Sequence, residues 1–477
     1  MKNISTRLFL LSLVIAGVVL GCTIAVVSES VAGYPMLWKN RDVHNYDQEM
    51  RYFDSGYYRF VTNVYKGETH RAWAGLNDAG FAIVNTDTYN QGVWAMYGPD
   101  DGHVMFWALS NCLTVDDFEA YLDSTNVIGR RSTHCYGVID AFGGAAVFEA
   151  GRYNYVRFDA EDSPNGVLIR TNYADSGSDT TVGENRRIRA EQIVSMSSII
   201  DPYLFLFILA RDLYLNGFDP YPLPFSGTYS FLPAGVISTD GTINRYYTTS
   251  ASVIRGVGKS GAPGMMWEYL GEPILSIPLP LWVQAGEVPY ELGSPSGSTI
   301  CRMAREFKSM CYTTPTTLNT YPLADLQSFY YPIETDIYFD IYDLYTSGPS
   351  AFFDTAGLSD IQTEIAARVA SAYSELHELL VREWGHCLPS NVDIECHPNP
   401  FNSTAEMSIY VPTPAYAEVR LFDITGRLAK TPLPKGLLEP GKTTFRISSE
   451  DLTSGVYLAA LIIDGEIKRS KRLVVVE

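Results

Sequence analysis

Cys22 follows Gly21 directly, at the end of a leader with Lys2 and Arg7 at its start and an apolar run from Leu8 to Leu20. That run is short for a membrane span and reads as a removed signal peptide. Cleavage after Gly21 leaves a thiol and a free α-amine on one residue. With an ordinary pKa of about 7.7–8.0, that amine takes the thiol proton near neutral pH. The pair can attack an amide carbonyl. Val19-Leu20-Gly21-Cys22 also fits a loose lipobox, in which a lipid would block the same thiol. The two readings exclude each other.

A carboxylate lies within reach. Thr23 to Ser28 reads as a strand, Val31 to Tyr34 as a turn and Pro35 to Asp42 as a second strand. A hairpin centred on residue 32 sets Cys22 opposite Asp42, with Cβ atoms about 5 Å apart on one face. Asn40 shares that face and Arg41 points to the other.

Other chemistries find little footing. The seven His make no H-E-x-x-H or Cys/His zinc pattern. His70, His103, His134 and His377 read as ordinary polar or surface residues. No Gly-x-Ser-x-Gly elbow is present. Gly256-x-Gly258-x-x-Gly261 lacks a strand–helix setting and reads as a loop. Neither metal nor cofactor is expected.

Five segments in order resemble the choloylglycine hydrolase, acid ceramidase and penicillin acyltransferase group of N-terminal nucleophile (Ntn) hydrolases, the last branch most closely. Cys22-Thr23 followed by Lys39-Asn40-Arg41-Asp42 is the first. Gly75-Leu76-Asn77-Asp78-Ala79-Gly80-Phe81 is the second. Tyr136 to Ala141 with Ala146 to Glu149, then Arg170-Thr171-Asn172-Tyr173, then Asn185 to Ala190 complete the set. The resemblance covers about residues 22–275. It implies an α+β, four-layer αββα sandwich, an amidohydrolase or acyltransferase acting on a small acyl-amide substrate, and site residues Cys22, Asp42, Asn172, Asn85, Lys39 and Arg186. Asn172 would donate to the oxyanion. Three departures stand out. Lys39 replaces an Arg, and Tyr173 replaces a common His. The loop asparagine is Asn85 only by a shift from Asp87, where strict spacing falls. If Cys22 is lipidated instead, the chain becomes a non-enzymatic surface binding protein on the same scaffold.

The 477-residue chain has room for two or three domains, and its net charge of −19 disfavours nucleic acid and anionic membrane surfaces. Of the 32 Tyr, the pairs Tyr57-Tyr58, Tyr246-Tyr247 and Tyr330-Tyr331 read as aromatic β-structure or as an acyl-pocket lining. Six Cys besides Cys22 suggest disulfides in an oxidising compartment, preferably Cys301/Cys311, Cys387/Cys396 and Cys112/Cys135, with buried free thiols as the other reading. Residues 276–295 read as an extended arm or pocket wall, and 320–350 carry no chemical signal. Ile361, Ile365, Val369, Tyr373, Leu376 and Leu380 make a helical stripe from an Ser359 N-cap to Trp384, ended by Gly385. Glu364 and Glu375 on it read as solvated.

From Asp393 short alternating strands indicate a small all-β, Ig-like sandwich. Pro398-Asn399-Pro400-Phe401-Asn402 and Ser454-Gly455-Val456-Tyr457 resemble the C-terminal sorting domain of the type IX secretion system, which implies secretion machinery as a partner and delivery to the medium or outer surface. Basic Lys468 to Arg472 suits that machinery or a charge-protected edge strand. The expected organisation is signal peptide 1–21, catalytic domain 22–350, helix and linker 351–392, and sorting domain 393–477.

Overall fold

The computed structural model describes residues 21–92, 97–346, 355–383, 393–411, 415–438, 441–463 and 465–476. The leader, Trp384, Gly385 and Cys387 lie outside them. In chain order, β1 is Thr23–Val27, α1 Glu29–Ala32, β2 Met36–Asp42, β3 Gln48–Phe53, β4 Phe60–Tyr65, β5 Ala74–Asn77 and β6 Ala82–Asp87. Helices α2 (Asp101–Asn111) and α3 (Val115–Ile128) follow, then β7 (His134–Ile139), β8 (Ala145–Ala150), β9 (Tyr155–Asp159), β10 (Val167–Arg170) and α4 (Glu184–Met196). After β11 (Val236–Ser238) come β12 (Thr248–Arg255), β13 (Met265–Leu270), β14 (Leu279–Leu281) and α5 (Thr299–Cys311). Two short strands, β15 (Tyr312–Thr314) and β16 (Thr317–Asn319), lead into α6 (Thr320–Thr346) and α7 (Thr355–Glu383).

Strands β3 to β9 form one antiparallel meander, and a second sheet runs β10-β1-β2-β12-β13-β14. The sheets stack through β1 and β2 against β6 and β7. Helices α2 and α3 cover the outer face of the first sheet, while α4, α5 and α7 pack on the second. This is the four-layer αββα sandwich. Because β1 and β2 are covered on both sides, every one of their residues is buried. Capping fixes the helix starts: Asp100 accepts from the His103 N–H, and Thr114 and Asp117 form a capping box.

The β1–β2 hairpin departs from the expected one. Its turn is the short helix α1, capped by Ser28 and ended by Gly33 at φ 80°, where a left-handed backbone suits glycine. The ladder pairs Thr23 with Asn40 and Ile24 with Lys39, so the next pair outward sets Cys22 opposite Arg41 rather than Asp42. A shift of one residue exchanges the faces. Asn40 faces the helices and donates to the Ala210 carbonyl at 3.0 Å, while Lys39 and Arg41 face the first sheet.

Other expectations need correction. Among the described residues every cysteine is free. Cys301 and Cys311 sit at opposite ends of α5, about 15 Å apart at 1.5 Å rise per residue. Cys112 and Cys135 belong to different cores on opposite sides of the meander. Helix α7 starts at Thr355, before Ser359, whose hydroxyl instead donates to Glu287 at 2.6 Å. Of its stripe, Val369, Tyr373 and Leu376 are buried, Ile361 and Ile365 are half-buried and the Leu380 side chain lies outside the described ones; Glu364 and Glu375 are exposed. Residues 320–346, which gave no signal, form α6 with Pro332 inside it. Residues 276–295 contribute the edge strand β14. The tyrosine pairs do not line one pocket: Tyr57 is exposed, Tyr330 is buried and Tyr246 meets Tyr312 edge to face. No helix among the described residues is long and apolar enough to cross a membrane.

The C-terminal strands are β17 (Asp393–His397), β18 (Thr404–Val411), β19 (Ala415–Asp423), β20 (Leu428–Leu438), β21 (Gly441–Ser448), β22 (Gly455–Ile463) and β23 (Glu466–Val475). Two sheets, β17-β18-β21 and β20-β19-β22-β23, enclose a core that includes Phe401, Met407, Ile409, Val419, Leu421, Leu461 and Leu473. Asn399 clamps the chain by donating to the Arg472 carbonyl at 2.8 Å and accepting from the Val474 N–H at 2.9 Å. Exposed Lys468 to Arg472 lie on β23, an edge strand.

Candidate active site

Cys22 sits at the head of β1, 7 % exposed. Its carbonyl accepts from Arg186 Nη1 at 3.0 Å and from Thr86 Oγ1 at 3.2 Å. The same Arg186 donates to Thr23 Oγ1 at 2.7 Å and, through Nη2, to Asn172 Oδ1 at 2.5 Å. Arg186 reaches the strand from the first turn of α4. Its burial and the nearby Arg245 lower its pKa to about 10. Asn172 follows β10 and donates to Thr86 Oγ1 at 3.2 Å and the Asp87 carbonyl at 3.1 Å. Gly21 lies hard against it: a Cβ there would stand 1.8 Å from Asn172 Oδ1.

Asp42 is tied to residue 21 through a second arginine. Its carboxylate accepts from Arg245 Nε at 2.6 Å and from Thr248 Oγ1 at 2.7 Å, and Arg245 Nη2 donates to the Gly21 carbonyl at 3.0 Å. On the other side, Lys39 Nζ donates to the Trp73 carbonyl at 2.7 Å and to Asn85 Oδ1 at 2.5 Å. Asn85 passes the chain on to Asp101 at 3.0 Å. Thus the other five expected residues, Asp42, Asn172, Asn85, Lys39 and Arg186, gather around the Cys22 head of β1.

Burial pushes the Cys22 thiol up; Lys39 opposes this, and Asp42 and Asp87 add to it. Burial lowers Lys39 to about 8, although Cys22 favours its charged form. His134 is 1 % exposed, contrary to its surface reading, with Nε2 2.6 Å from Asp87 and 3.4 Å from Asp101. Burial resists its charging, but Asp101 and Asp87 outweigh this and raise its pKa. Asp87, Asp101 and His134 are close enough to share a cation, with ligand atoms within 4.8 Å of one another. The imidazole already pairs with both carboxylates, and Lys39 stands beside them as a further positive charge.

Arg245, Thr248, Thr86, Asp101 and His134 were missed. Asp87 was seen only as a spacing alternative. Arg245 and Thr248 flank Tyr246-Tyr247 just before a β-branched strand, and no sequence interval links them to Asp42. The alternation His134-Cys135-Tyr136-Gly137-Val138 was the one available signal for His134, because it begins a buried strand.

Residues 395–476 match the family model of the secretion system C-terminal sorting domain. The C-terminal module is similar to that domain. No curated protein matches the sequence. Similar solved structures include a variant of conjugated bile acid hydrolase from Clostridium perfringens, with TM-score 0.35 and 11 % identity, covering 58 % of this chain and 94 % of that one. Penicillin V acylase from Agrobacterium tumefaciens gives TM-score 0.35 and 15 % identity over 55 % of this chain and 86 % of its own. PorZ, a surface component of the type-IX secretion system of Porphyromonas gingivalis, gives TM-score 0.13 and 24 % identity over 18 % of this chain and 11 % of its own.

Proposed function

We propose that the mature chain begins at Cys22 and cleaves a linear amide C–N bond through a thioester on that residue, in a protein that its C-terminal module delivers out of the cell through the type IX machinery. The observation that carries this reading is the convergence on residues 21 and 22 of Arg186, Arg245, Thr86 and Asn172, from four separate parts of the fold. A cysteine serving only as a lipid anchor needs no such cage, and at 7 % exposure it leaves no room for two acyl chains.

After removal of residue 21, the α-amine takes the thiol proton. The thiolate adds to the carbonyl carbon, and the C=O electron pair moves onto oxygen. The space now filled by Gly21, beside Asn172 and Arg245, receives the acyl part of the substrate. Asn172 Nδ2 is the neutral donor beside that space; its two hydrogens now go to Thr86 Oγ1 and the Asp87 carbonyl, and one of these bonds is exchanged for the oxyanion; a single oxyanion donor is worth about 2.7–4 kcal/mol. Collapse breaks the C–N bond, and the α-ammonium protonates the departing amine. Water, deprotonated by the same α-amine, then hydrolyses the thioester and frees the thiol. An amine acceptor in place of water gives acyl transfer. Asp42 with Arg245 holds the terminus, and Lys39 favours the thiolate.

The test combines N-terminal mass analysis of exported protein with amide hydrolysis assays. The expected results are a free Cys22 amine, no activity in Cys22→Ala, and none when an extra residue precedes Cys22. A diacylglyceryl Cys22, or full activity with a blocked amine, would overturn the proposal.

A further inference from the structure

Arg41 occupies the rung beside Cys22 in the β1–β2 ladder and faces the first sheet. It is 3 % exposed, and no carboxylate among the described residues lies within ion-pair distance. Two ring faces hold it, Tyr65 at 4.5 Å and Trp73 at 4.7 Å from their centroids. Ring faces return less than the hydration a buried cation gives up. Its Nη1 has no hydrogen-bond partner, and neither has the buried Trp73 Nε1. Two unsatisfied donors from stacked neighbours match the two oxygens of one carboxylate.

Nearby acid does not fill this role. Glu268 is engaged by Asn63 Nδ2 at 2.7 Å and Ser252 Oγ at 2.5 Å. Burial raises its pKa to about 8, so it is largely uncharged at neutral pH. The receptor also belongs to the site: the Trp73 carbonyl receives the Lys39 ammonium at 2.7 Å.

We propose that Arg41 and the Trp73 indole N–H form a carboxylate subsite next to Cys22, so that the preferred amide bears a carboxylate away from the scissile bond. This rests on the amidase reading above. The carboxylate can come from the leaving amine, as in an N-acyl amino acid, or from the acyl part, as in a dicarboxylic acid monoamide.

The test compares kcat/KM for hexanoylglycine, adipic acid monopropylamide and neutral N-propylhexanamide. The wild-type chain should favour one acidic substrate over the neutral amide by about 100-fold, and which one identifies the source. In Arg41→Met that preference should fall below about fivefold, with Arg41→Lys in between. Calorimetric titration of the two acidic compounds into Cys22→Ala, with and without Arg41→Met, reads the subsite without turnover. Equal wild-type rates on acidic and neutral amides, or a preference that survives Arg41→Met in folded protein, would overturn the subsite and leave the amidase reading standing. Arg41-dependent binding without hydrolysis of any amide would sink the amidase reading and keep the subsite.

Discussion

Lys39 holds a charge where burial resists one. Its folded pKa of about 8 lies below the ordinary 10.5, so the unfolded chain binds one more proton between those values. Stability should therefore rise with pH across that window and be flat for this group below about pH 8. Relative to Lys39→Met, the wild-type chain should gain about 3 kcal/mol between pH 8 and 10.5; denaturant titrations at several pH values measure it, and parallel curves would refute it. Lys39 was named through the family resemblance, whereas the expected hairpin register put it on the wrong face. The partners of Asp42 were not legible. Arg245 reaches it across a gap of 203 residues, and only the assembled sheet closes that gap. Arg41 was assigned to the wrong face for a simpler reason: the helical turn α1 changes the register by one, and alternation passes that error to each residue of the strand.

Helix α6 packs Leu326, Tyr330, Ile337 and Ile341 into the core and adds one buried ion pair. Glu334 accepts from Arg211 at 2.6 and 2.8 Å, and both residues are over nine-tenths buried. Glu334→Gln would strand the guanidinium and should cost about 3–5 kcal/mol in urea unfolding. The double change Arg211→Met with Glu334→Leu should recover most of that loss, since matched apolar groups fill such sites as well or better. A single variant as stable as wild type would show that α6 is held by its apolar face alone. This helix escaped sequence reading because Pro332 interrupts it and its Tyr and Asp residues spread around the axis. Helix α7 was legible from its stripe, although its start was misplaced, because Ser359 resembles a cap and serves as a tether to Glu287.

At the scale of the whole molecule, the module from Asp393 has its own apolar core and its own sheets. A chain ending at residue 392 should fold, hydrolyse amide at the wild-type rate and stay inside the cell envelope; fractionation with an activity assay checks all three outcomes. Inactive but folded truncated protein would show that the module contributes to the site. The sorting module was legible because turn residues recur at short intervals after residue 393, and the paired Pro-Asn-Pro-Phe signal has a mechanical job in Asn399. The N-terminal αββα fold has the opposite character. Strand β1 lies inside its sheet between β2 and β10, and Cys22 is clamped by Arg186 from 164 residues downstream, while Gly21 is held by Arg245 from 224. Since chains emerge at about 5–20 residues per second, the thiol waits on the order of ten seconds or more, unsheltered, before its cage has even been synthesised. Cys22, near the start of the chain, is thus among the last residues to become safe from oxidants, so yield in an oxidising envelope should depend on how fast the segment through Arg245 arrives.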